Sequence, residues 1–187
     1  MLYPNKLNRK KGEFIIKILI GVSIIIAVLL IIINKICTQQ VRWAGLANAG
    51  IIYIWITVLY SINRNTNIAA HVLLQMVAIS ILTRYIDYKT GSKGWSYTYA
   101  IPIVIIIANI TMFVLTIISH KKYIRYAIYQ LLVCLFSILP IYIIYENLSK
   151  NLVMSYVAMG VSIVNLILTI CLCARDLGDA IVRKFHV

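Results

Sequence analysis

The chain has 187 residues, of which 62% are apolar and only 12% charged, where a soluble domain carries roughly 25% charged residues. Eighteen Lys and Arg against five Asp and Glu leave a formal net charge of +13, and the mean hydropathy is +0.92. A water-soluble fold could not hide so much hydrocarbon, and the basic residues sit at the ends of apolar runs, so the charge reads as membrane orientation and attraction to anionic lipid, with nucleic acid not expected as a partner.

The expected fold class is an all-α integral membrane protein, a bundle of six transmembrane helices. Residues 1–13 form a basic segment carrying Lys6, Arg9, Lys10 and Lys11. The first predicted span, 14–33, is interrupted only by Lys17, which lies close enough to the boundary to snorkel. Its length suits a hydrocarbon core of about 30 Å at 1.5 Å per residue. Ala47-Asn48-Ala49 has the look of a signal-peptide cleavage site. The apolar run before it is longer than an h-region and ends too far upstream, so the span is expected to be kept.

The second and third spans, 43–62 and 68–86, are joined by Asn63-Arg64-Asn65-Thr66-Asn67, a tight turn of helix-capping residue types. The stretch from Asp87 to Trp95 reads as a plain connection in which Gly91 and Gly94 permit turns and Trp95 anchors the next span. The fourth, fifth and sixth spans are 97–119, 124–145 and 152–173. Pro102 and Pro140 are expected to start or kink their helices. The tail, 174–187, is short and polar, and is expected to be an interfacial helix end. Ser80 to Ile86 echoes Ser137 to Ile143, but in so biased a composition a chance likeness is the better reading.

Basic residues beside the spans give the orientation. With the N-terminus inside, eleven lie on the inner side: Lys6, Arg9, Lys10, Lys11, Arg64, Lys121, Lys122, Arg125, Arg175, Arg183 and Lys184. Six lie outside: Lys35, Arg42, Arg84, Lys89, Lys93 and Lys150. Both termini are therefore expected in the cytoplasm, with Trp43, Trp95, Tyr97 and Tyr145 at the outer boundary.

Polar groups in hydrocarbon are costly and face other helices or a cavity. The later spans each carry a small or polar stripe at helical spacing: Ala47, Gly50, Thr57 and Ser61; His71, Gln75 and Ala78; Pro102, Asn109 and Thr116; Gln130, Cys134 and Ser137; Ala158, Ser162, Asn165 and Thr169. Gln75, Asn109 and Asn165 fall near the middle of their spans and can meet at one depth. His71, Gln75, Asn109, Gln130 and Asn165 are thus the candidate site residues. They would serve as helix-packing glue, the favoured reading, or as a neutral pocket for a small solute. His71 could titrate, but the spans as drawn contain no carboxylate to partner it, which also argues against acid-coupled transport.

Motifs for metal-dependent proteolysis, for a serine nucleophile and for nucleotide phosphates are missing from the sequence. Cys37, Cys134, Cys171 and Cys173 include no CxxC pair and read as small apolar residues, so neither metal nor cofactor is expected. The Ile, Lys, Asn and Tyr bias is of the kind found in AT-rich bacterial genomes.

Asn65-Thr66-Asn67 with His71, Ile86-Asp87-Tyr88, Gly94-Trp95-Ser96 followed by Ile101-Pro102, and the closing Arg183-Lys184-Phe185-His186-Val187 carry a family likeness. From Ile51 onward the chain resembles a family of uncharacterised bacterial membrane proteins, mostly from Firmicutes, that carry an N-terminal zinc ribbon; the ribbon's paired CxxC is missing here. The resemblance implies a six-helix membrane domain with a cytoplasmic N-terminus and supplies no activity. Three classes of function fit. The first is a non-enzymatic membrane subunit or interaction module whose basic face meets anionic lipid or a membrane or cytoplasmic protein partner. The second is a small-solute transporter; size and span number are similar to the substrate-binding components of energy-coupling vitamin transporters, whose Ala-x-x-x-Ala motif is not in the first span. The third is a membrane enzyme, disfavoured by the shortage of reactive groups.

Overall fold

Apolar runs of twenty or more residues leave the backbone no partner in hydrocarbon except itself, so each run must coil. The computed structural model describes residues 5–37, 43–62, 67–118, 123–139, 142, 145 and 152–185, and it is all-α. Six helices appear among the described residues: α1 Asn5–Cys37, α2 Trp43–Ile62, α3 Ile68–Lys89, α4 Ile101–Ile118, α5 Tyr123–Phe136 and α6 Val153–Phe185. A π-helical turn, Ser96–Ala100, leads into α4. Five helical stretches are long and apolar enough to cross a membrane: Gly12–Cys37, Trp43–Ile62, Ile68–Lys89, Ser96–Ile118 and Val153–Cys171.

The chain divides into two compact units, Met1–Ile56 and Thr57–Val187. In the first, Asn34 near the end of α1 is buried, and its Oδ1 accepts a hydrogen bond from the Ala44 backbone N–H at 3.3 Å. An α1 side chain thus does for α2 what a local N-cap would do, because the first N–H groups of any helix lack an internal partner. Two helix turns earlier on α1, the Ala27 carbonyl accepts from Asn48 Nδ2 at 3.4 Å. Between Phe14 and Ile33 α1 is apolar but for Lys17, Gly21 and Ser23, and most of its large apolar side chains are exposed.

In the second unit α4 is central, packing against α6, α3 and α5. Its buried residues Pro102, Ile105, Asn109, Met112 and Thr116 recur at steps of three and four, one side of a helix. The facing seam of α6 (Ser155, Ala158, Ser162, Asn165 and Thr169) has the same step and nothing larger than Asn. Small residues let two backbones approach closely where no hydrophobic drive exists between helices. Val133 of α5 and Ala69 and Met76 of α3 complete the apolar core.

Several boundaries differ from those expected. The third span does not stop at 86: α3 continues to Lys89, and Asp87 is a fully buried carboxylate, contrary to the expectation that the spans hold none. Pro102 does sit at a helix start, with the Ile101 N–H bonded back five residues to Ser96 O. A proline at 102 has no N–H for the Thr98 carbonyl and would press on it, and the widened turn relieves both defects. The fifth span is interrupted early. Ser137 N–H is shared between the Val133 and Cys134 carbonyls, and Ile138 N–H bonds Leu135 O, so α5 tightens and stops ahead of Pro140, which itself lies outside the described residues. The backbone of the basic segment is helical from Asn5, and that of the tail through Phe185. At 33 residues α6 is about 50 Å long, well beyond a bilayer core of about 30 Å.

Candidate functional site: a buried amide cluster

Three of the five candidate residues meet. Asn109 of α4 is the hub. Its Nδ2 donates to Ser162 Oγ of α6 at 2.8 Å and to its own helix at Ile105 O, 3.0 Å away. Asn165 Nδ2 reaches both Asn109 O, at 2.8 Å, and Asn109 Oδ1, at 3.2 Å. From α5, Gln130 Nε2 lies 3.5 Å from the same Oδ1. All three amides are buried. Ser137, just past α5, and Ser162 share a short hydroxyl contact, and Cys134 Sγ donates to Ser162 O at 3.4 Å. Thus one asparagine ties three helices together through a chain of neutral groups.

The register explains the meeting. Asn109, Ser162 and Asn165 stand on the buried seams of α4 and α6, and Gln130 on that of α5, with Ser137 buried just past its end. Thr116 and Thr169 turn their hydroxyls back to their own helices, on Met112 O at 2.9 Å and Asn165 O at 2.8 Å. Two acceptors in the cluster, Gln130 Oε1 and Asn165 Oδ1, take no hydrogen bond among the described residues, and neither does the Ser155 hydroxyl.

Gln75 and His71 turn elsewhere. At 100° per residue Gln75 lies a quarter turn from Met76 and about 120° from Ala69, which are the α3 residues that enter the core. Gln75 Nε2 donates to Thr57 Oγ1 of α2 at 2.9 Å, and His71 stacks on Tyr60 with ring centroids 5.5 Å apart. Equal depth in the sequence did not bring Gln75 onto the inner seam, because α3 carries two buried faces. Of the cysteines described in full, Cys37 and Cys171 are exposed rather than packed, and Cys134 is half-buried.

A second polar centre escaped the sequence reading. Asp87 Oδ1 accepts from the Gly94 N–H at 3.2 Å and Oδ2 from Ser96 Oγ at 2.8 Å. Its own carbonyl accepts from Ser92 N–H at 2.8 Å, the long bond of a Schellman cap with Gly91 (φ +104°) at the left-handed position. Arg84 stands 3.7 Å from Oδ2, and its guanidinium lies over the Tyr97 ring at 4.6 Å from the centroid. The stretch after α3 is therefore no plain loop; one carboxylate organises it. Gly91, two residues past Lys89, is a helix stop signal that would have placed the end of α3 correctly and put Asp87 within it.

Against known proteins, residues 3–187 match a family of unknown function (DUF6320). The chain belongs to that family. No curated protein and no solved structure matches it.

Proposed function

We propose that the protein is a non-enzymatic, six-span subunit of the cell membrane in a bacterium, with both termini in the cytoplasm and its basic inner face against anionic lipid. The observation that supports this reading best is the mutual engagement of the midplane amides. The Asn109, Asn165 and Gln130 amide nitrogens, from α4, α6 and α5, donate to groups on α4 and α6. Such a cluster holds helices together and leaves the outward faces, above all the exposed length of α1, to meet a partner. The fifth span of the six is taken from the apolar run 124–145. Orientation rests on the eleven-to-six distribution of basic residues.

A transport reading has one observation in its favour. The two unpartnered carbonyl oxygens, Gln130 Oε1 and Asn165 Oδ1, could receive a donor from a small neutral solute. A groove of about 440 Å³ between α5 and α6 has Cys134, Ser137 and Ser162 on its wall. Native mass spectrometry of the protein, gently extracted from its own membrane, separates the readings. The subunit reading expects a second polypeptide held at fixed stoichiometry. A lone chain carrying a small non-lipid mass would favour transport, and a bare lone chain would overturn the subunit reading.

A further inference from the structure

An apolar groove runs along the face that α3 shares with α4 and α5, with a volume of about 340 Å³. Its α3 wall is the i, i+4 row Met76, Ser80 and Arg84, and Ile105 and Phe136 close the other side. The wall is hydrocarbon nearly throughout, and a cation stands at one end. From Met76 to Arg84 the helix rises about 12 Å, the scale of the upper part of an acyl chain. Arg84 is at the level where amphipathic rings gather: Tyr85, Tyr88, Trp95 and Tyr97 surround that end of α3 in sequence. Its guanidinium lies on Tyr97 and in ionic contact with Asp87, whose carboxylate oxygens are already hydrogen-bonded by Gly94 and Ser96. Stacking on a ring face and a 3.7 Å ionic contact through Nη1 alone leave the remaining guanidinium N–H groups of Arg84 to an anion. With Lys89 and Lys93 exposed nearby, three cations stand against the one buried carboxylate, so the local field favours negative charge.

We propose that this groove is a binding site for one anionic glycerophospholipid, its acyl chain against Val77, Ser80, Ile105 and Phe136 and its phosphate on Arg84. The two halves of the site are independent observations: an apolar channel open to lipid, and a donor fork at its polar end. Zwitterionic lipid fits the channel equally well and is discriminated only at the head, because its choline meets a net positive surface.

The test uses the full chain in mild detergent, titrated with phosphatidylglycerol or phosphatidylcholine and read by native mass spectrometry. Wild type is expected to retain one phosphatidylglycerol in preference to phosphatidylcholine. Arg84→Gln is expected to weaken phosphatidylglycerol about fivefold, the order of effect of one basic residue at a lipid headgroup. Ser80→Trp, which fills the groove and leaves the charge, should abolish retention of both lipids. Lys93→Gln, outside the groove, should retain the wild-type preference. Equal retention of the two lipids by wild type, or undiminished phosphatidylglycerol on Ser80→Trp, would overturn the proposal. So would full competition by soluble glycerol phosphate, since that identifies a free phosphate site and not a lipid groove. Should Arg84→Gln fail to fold, the Ser80→Trp arm decides alone.

Discussion

Replacing Asn109 by Leu exchanges a side chain of similar size while removing every polar group at the hub. Three interhelical contacts go: the 2.8 Å bond to Ser162, the 3.2 Å bond from Asn165 and the 3.5 Å bond from Gln130. Asn165 keeps its 2.8 Å bond to the Asn109 backbone carbonyl, which the substitution leaves in place. Interhelical hydrogen bonds in membrane bundles average about 0.6 kcal/mol, so the three together are worth about 2 kcal/mol. Because Leu occupies the site, little cavity cost adds to this. The assay is reversible unfolding of the purified full chain in bicelles, titrated with dodecyl sulfate and followed by circular dichroism. Ser162→Ala combined with Asn109→Leu should destabilise by less than the two single changes added together, because both remove the same 2.8 Å bond. A loss below about 0.5 kcal/mol for Asn109→Leu would refute the structural role of the cluster. It would shift weight to the solute-binding reading, in which buried polarity is kept for a ligand.

Two further expectations concern the ends of helices. Asp87→Ala deprives the Gly94 N–H and the Ser96 hydroxyl of their acceptor; bonds to a charged group contribute about 1.5–3 kcal/mol each, partly offset by relief from burying the carboxylate. A net loss of about 2 kcal/mol and faster hydrogen exchange at Gly94 are expected, and unchanged exchange there would remove Asp87 from its organising role. Asn34→Ala should cost about 1 kcal/mol, the usual worth of an N-cap, and speed exchange of the Ala44 amide, since its acceptor comes from α1. An unaltered Ala44 amide would show that the cap does not come from Asn34.

Composition and pattern were enough to establish the class of molecule. Hydrocarbon in runs of bilayer length admits only helices, so the all-α architecture, the long apolar α1 and the small polar seam of α6 could all be read from residue spacing. The stripes on α4, α5 and α6 foretold that Asn109, Gln130 and Asn165 would face inward, since a period of three to four puts them on one side of each helix whatever the partner. Which stripes face one another is not a local property. Gln75 stands mid-span in the sequence as Asn109 does, yet it engages Thr57, because α3 presents one face to α4 and another to the end of α2, and only the packing of helices distributes those faces.

The same holds for Asp87. A carboxylate shortly before Lys89, Gly91, Lys93 and Gly94 looks solvated in one dimension, and a helix stop at Gly91 was the one local sign against it. It is buried because Gly94 and Ser96 fold back to supply the hydrogen bonds that make a charge tolerable out of water. Its hydrogen bonds come from groups seven and nine residues further on, and they form only when the chain folds back on itself.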